Sequence, residues 1–255
     1  MHMIQMLALV TLVYFVTLVL IAFNRDKINT KIGNRIFVIA DIILYVFWMY
    51  GFYISGKNVT LSTLIGNISP LTCLIVAMTP IFSDKVRDYA YSTIALLNFG
   101  IFVAMLISPE HAYLFNFHAE AKPTYTGEAL CHMVCSLFGV YLILTRQVKP
   151  NFDTWVKSIK FIYPIIFGGV AFNAIFHQGL FGMNPYGKYT IYMIDIFGSF
   201  EATFAAYLLG VLVVLTLGLH SGRLLDKLSE HKPKKQSEEP PKLTEEESEE
   251  IKNED

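Results

Sequence analysis

The chain has 255 residues, 54% of them hydrophobic and 14% aromatic, with a formal net charge of -1. Its mean hydropathy of +0.47 lies outside the range of ordinary soluble domains and points to a membrane class. The charge averages two unlike parts: residues 221–255 hold 11 of the 21 acidic and 7 of the 20 basic groups, leaving 10 acidic and 13 basic in the rest, so the total says little about partners and no nucleic-acid partner is expected.

Seven apolar stretches are long enough to cross a bilayer as helices. The first covers about 3–23. It has no Lys or Arg before its apolar run and no small-x-small cleavage site, so it reads as a retained span and not a leader. The second, about 36–55, carries Asp41 in its inner half. With no charge partner at that depth, Asp41 is expected to face the loop cations Arg35 or Arg146, or to carry a proton, and has no catalytic role. The short loop that follows holds Asn58-Val59-Thr60, a glycosylation pattern read as chance so close to a membrane. The third span, about 62–82, is interrupted by Asn67 and Pro70, which neighbouring helices would have to accommodate. The fourth, about 89–108, has Asn98 near its middle.

A longer loop at 109–126 contains Glu110, His111, His118 and Glu120. The spacing of its two histidines suits no standard helical metal site, so they read as solvated. The fifth span covers about 127–146 and the sixth about 158–178, with Asn173 and His177 one turn apart on its outer half. The loop at 178–197 is rich in Gly and aromatic residues and includes Asn184. The seventh span, about 198–219, is flanked at its start by Asp195, Ser199 and Glu201. The chain thus divides into a seven-helix membrane domain, 1–220, and a charged tail, 221–255. Residues 221–230 could continue the last helix, whereas the remainder cannot bury enough apolar surface to fold. The expected class is all-α and polytopic.

Cationic residues alternate between loops. Arg25, Lys27, Lys31 and Arg35 follow the first span, Lys85 and Arg87 the third, Arg146, Lys149, Lys157 and Lys160 the fifth, and Arg223 and Lys227 the seventh; Lys57, Lys122 and Lys188 stand singly in the other loops. This places the N-terminus outside and the C-terminus in the cytoplasm. Tyr50, Tyr89, Tyr91, Tyr125 and Trp155 fall near span ends, where amphipathic rings favour the interface.

Polar side chains at membrane depth are costly and carry the functional signal. Glu128, Cys131, His132 and Cys135 are spaced i, i+3, i+4, i+7 on one face of the fifth span, and Gly139 continues the stripe, where it would let another helix approach closely. A carboxylate one turn from an imidazole can hold its tautomer and leave it to act as a base. The competing reading is a headgroup-level Glu and a His bonded to a neighbouring helix. Asn67, Asn98, Asn173, His177 and Glu201 share a similar depth and, with Asn184, are the candidate substrate-binding residues; each could equally make an ordinary interhelical hydrogen bond. The three cysteines, Cys73, Cys131 and Cys135, have neither zinc-site spacing nor a disulfide framework, and no metal or other cofactor is expected. The last span has no Lys for a retinal Schiff base, and no Gly-x-Ser-x-Gly, His-Glu-x-x-His or P-loop occurs.

Three segments resemble the YwaF-type integral membrane proteins of bacteria, whose animal relatives include a transmembrane phospholipid acyltransferase. Gly66-Asn67-Ile68-Ser69-Pro70-Leu71 looks like the end of that family's Leu-Pro-Leu-His-Leu-Cys-Asn-Ile stretch. Leu130-Cys131-His132, followed by the segment from Leu142 to Arg146, resembles its fifth-span His and basic loop. Asn173 with Gly182-Met183-Asn184-Pro185-Tyr186 resembles an Asn on the sixth span followed by Gly-Thr-Asn-Tyr. The family's His and Cys positions are Leu64 and Gly66 here, while Asn67 and His132 match.

The resemblance implies a multi-pass protein of a bacterial plasma membrane that handles lipid or acyl groups at the outer leaflet. In such chemistry Cys131 or Cys135 would be the nucleophile and His132 the base. The alternative is a small-ligand or proton-linked transporter or sensor with an outward-facing polar pocket. A third reading is an accessory protein whose tail recruits partners.

Overall fold

The computed structural model describes residues 3–56, 59–66, 68–100, 122–183 and 188–230. All regular structure among them is helical. In chain order the α-helices are α1 (Met3–Asn24), α2 (Thr30–Ile54), α3 (Leu61–Leu64), α4 (Ile68–Met78), α5 (Asp84–Thr93), α6 (Pro123–Leu144), α7 (Phe152–Phe176), α8 (Lys188–Phe197) and α9 (Phe200–Glu230). A π-helical turn, Ile94–Asn98, continues α5, and 3₁₀ turns occur at Thr79–Ile81 and Leu180–Gly182. Five helices, α1, α2, α6, α7 and α9, are long and apolar enough to cross a membrane.

The helix boundaries follow local chemistry. Asn29 caps α2, its side chain accepting from the amides of Lys31 and Ile32, and Asn151 caps α7 through the Thr154 amide. The third expected span does not form one helix. α3 ends at Leu64 and α4 begins at Ile68, with Pro70 in its first turn, where proline is tolerated. Pro80 then falls in the 3₁₀ turn that closes α4. At the other end of the chain α9 runs on to Glu230, so residues 221–230 do extend the last helix, as the sequence suggested. The tail beyond 230 and the loop at 109–121 lie outside the described residues.

The packing is organised around α6. It touches α1, α2, α4, the π turn and α9. Sixteen of its residues are buried, among them every residue from Met133 to Leu144. Two glycines allow this closeness. A Cβ on Gly139 would lie 2.8 Å from the Ile94 carbonyl oxygen, and one on Gly127 would lie 2.7 Å from the Trp48 Cα. The first contact meets the expectation that Gly139 admits a neighbouring helix. Phe138, fully buried, stacks on Phe37 of α2 with ring centroids 5.2 Å apart and meets Tyr91 edge-on at 5.8 Å. Tyr14 joins α1 to α6 through a 3.2 Å contact with the Ser136 hydroxyl. Large apolar side chains on α1 and α2, including Leu12, Leu20, Ile39 and Ile43, are exposed.

One end of the bundle collects the basic loops. Asn34 of α2 donates to Tyr91 Oη at 3.0 Å and to Gln147 Oε1 at 2.8 Å. Lys157 bridges Asp88 at 3.0 Å and Asp153 at 2.8 Å. The loops after the first, third and fifth apolar stretches therefore lie at the same end.

Candidate functional site

The centre of the bundle holds a cluster that loop-by-loop reading did not assemble. Asp41 stands 11 residues into α2, about 17 Å along the helix at 1.5 Å per residue, and is completely buried. Cys135 lies at a matching height on α6, and Cys73 comes in from α4. The Cys135 thiol donates to Asp41 Oδ1 at 3.1 Å, and its sulfur is 3.5 Å from that of Cys73. One ligand atom from each of Asp41, Cys73 and Cys135 lies within 4.8 Å of the others. Cys131, one turn back on α6, is buried on the same face as Cys135. All three thiols are free and buried.

Among the described residues Asp41 Oδ2 has no hydrogen-bond partner. A buried carboxyl oxygen left unpaired costs of the order of 1–3 kcal/mol. The sequence left Asp41 either facing the loop cations Arg35 or Arg146 or carrying a proton. The structure shows its hydrogen bond going to a thiol at mid-bundle and not to a loop cation. The reason is register, because α2 and α6 pack along their whole lengths and bring the middle of one against the middle of the other.

The face proposed on α6 divides. Cys131 and Cys135 point inward and are buried, whereas Glu128 and His132 are half-buried. His132 Nδ1 lies 2.7 Å from the backbone carbonyl oxygen of Glu128, so the backbone makes the contact expected of its carboxylate. The His132 ring leans on Trp48, with centroids 6.1 Å apart. Trp48 is itself buried, and its indole N–H has no partner among the described residues. The hydrogen-bond acceptor of the Cys135 thiol is thus Asp41 and not His132.

The other candidates take separate places. Asn98 is buried in the π turn, and its amide donates to the Cys135 carbonyl at 3.4 Å, so it supports the backbone beside the cluster. Asn173 is buried in α7 and holds its own following loop: it donates to the Leu180 and Met183 carbonyls at 2.8 and 3.2 Å and accepts from the Leu180 amide at 2.9 Å. That grip secures Phe181 in a left-handed conformation, φ 58°, a strained one for a bulky residue. His177 is exposed at the end of α7, and Glu201 is exposed in the first turn of α9 next to its capping Ser199. Asn67 and Asn184 lie outside the described residues. Of the described candidates, Asn98 and Asn173 hold backbone groups, and His177 and Glu201 are exposed.

Sequence spacing could have flagged Cys131 and Cys135 as one face, and did. Cys73 and Asp41 had no such signal, because their proximity depends on how three helices sit against one another. Two surface grooves lie elsewhere, one of about 180 Å³ at Arg146, Lys149 and Asp226, the other of about 120 Å³ between α8 and α9 at Met193, Thr203 and Tyr207.

Chemically the cluster offers two soft sulfur donors beside one hard oxygen, sealed from solvent. It can pass a thiol proton to a carboxylate, or hold a guest that takes both sulfur and oxygen. No protein-family model, curated protein or solved structure matches the chain.

Proposed function

We propose that this is a multi-pass plasma-membrane protein that binds a small ligand at the Asp41–Cys73–Cys135 centre and serves as a sensor or transporter. The proposal includes seven spans, an external N-terminus, a cytoplasmic C-terminus and kinship with the YwaF-type proteins. Five helices of crossing length and a shared end for the basic loops support the topology.

The observation that carries the functional reading is the unpartnered oxygen of Asp41 at the middle of the bundle. An apolar side chain of similar size would satisfy packing there at lower cost, and intramembrane ionisable groups mark ligand or ion pathways more often than structural joints. The test is thermal melting of the purified full chain against a panel of small ligands and cations, beside the D41L variant. Ligand-free D41L should melt at the same temperature as the parent or higher, and should lose every ligand-induced rise. A parent protein that no panel member stabilises, or a ligand-free D41L that melts far lower, would overturn the reading.

Acyl-group or lipid handling is a second reading, favoured by one contact. The Cys135 thiol already donates to Asp41 at 3.1 Å, so nucleophile and proton acceptor are paired. Replacing Cys131 and Cys135 together by Ala should then alter membrane acyl composition; an unchanged lipid profile removes it.

A further inference from the structure

The ligand class can be named from the donor atoms. We infer that the Asp41–Cys73–Cys135 cluster is a binding site for a thiophilic divalent cation of the Zn²⁺ type. The inference rests on the ligand-binding reading above and specifies its guest.

Three observations carry it. The first is spacing. In a tetrahedral zinc site with Zn–S near 2.3 Å and Zn–O near 2.0 Å, sulfurs stand about 3.8 Å apart and sulfur and oxygen about 3.5 Å apart. Here the Cys73 and Cys135 sulfurs are 3.5 Å apart, the Cys135 sulfur is 3.1 Å from Asp41 Oδ1, and all three groups fall within 4.8 Å of one another. Shifts of a few tenths of an ångström would bring these two separations to coordination spacing.

The second observation is the spare oxygen. Asp41 Oδ2 is enclosed and satisfied by no donor among the described residues, whereas a carboxylate bound to a metal through one oxygen or both would no longer leave that cost standing. The third is the supply of donors from separate elements. Asp41 comes from α2, Cys73 from α4 and Cys135 from α6. A metal joining them would pin α2 and α4 onto the central helix.

Charge bookkeeping is consistent with a low-dielectric setting. With Asp41 already a carboxylate, one Zn²⁺ enters as the protons of the Cys73 and Cys135 thiols leave, so two positive charges replace two and the buried net charge is unchanged. The oxygen donor separates this site from a cuprous one, since Cu⁺ selects soft donors alone while zinc accepts sulfur and carboxylate together.

The experiment uses the full chain, purified in detergent with its thiols kept reduced, loaded with Zn²⁺, freed of excess metal and analysed for metal content. One Zn²⁺ per chain is expected, with at least tenfold weaker retention in C73S and in D41N. Co²⁺ in place of Zn²⁺ should give a thiolate-to-metal charge-transfer band in the parent protein, which reports sulfur ligation even if a variant fails to fold. Absence of bound metal, absence of that band, or full retention by a C73S/C135S double variant would each overturn the inference; the last would move the metal to other groups such as His111 and His118. Exclusive uptake of Cu⁺ would likewise overturn it. If zinc fails while another panel member stabilises the parent and not D41L, the ligand-binding reading stands and only the choice of guest is wrong.

Discussion

Helices α1 and α6 are the same length, 22 residues each, yet they behave as opposites. The α1 span is the more apolar of the two and only 17% of its window is buried; α6 is the less apolar and 83% is buried. In water the ranking would be reversed. In a bilayer the exterior is as oily as any core, so apolar content does not sort a helix inward. What puts α6 at the centre is its glycines, its serine and cysteines, and the rings that fit around them. Small residues let backbones approach, and polar ones find partners only inside.

This contrast can be broken or sharpened by substitution, with stability measured by denaturation in micelles. The largest effect should come from G139L, because its Cβ alone would stand 2.8 Å from the Ile94 carbonyl oxygen; overpacking of this kind costs about 3 kcal/mol or more. Recovery of well-folded G139L at parental stability would show that α6 and the π turn are not in close contact.

F138A should follow, at about 3 kcal/mol, since the ring is wholly buried and stacked on Phe37. Y14F removes one hydroxyl from the contact between α1 and α6; a loss of about 0.6 kcal/mol is expected, the typical value for a polar contact between membrane helices. The smallest effect belongs to L12A, on a side chain of α1 that is 60% exposed, with a change of about 0.5 kcal/mol or less. If L12A proved as damaging as F138A, α1 would be covered by another protein surface and the contrast would fail.

A second contrast lies within α6 itself. Its N-terminal half carries Glu128 and His132, half-buried, and its middle carries Cys135 facing Asp41. The first pair drew attention in the sequence because an imidazole near a carboxylate is a familiar catalytic unit. The second pair is the one that the fold completes with donors from other helices. A single helix face shows which residues share a side, but not what stands opposite.

The amino-acid order alone was enough for the all-helical class, for crossing-length segments at α1, α2, α6, α7 and α9, for the continuation of the last helix to Glu230, and for the shared face of Cys131 and Cys135. These depend on composition, on a 3.6-residue period and on local capping, all of which act over a few turns. Packing between distant segments decided the rest. It set the central place of α6 and the meeting of Asp41 with Cys73 and Cys135. Thirty-one residues separate Asp41 from Cys73 and sixty-one separate Cys73 from Cys135, and no periodicity spans such gaps. Only the tertiary register of α2 and α4 against α6 brings those side chains to one point.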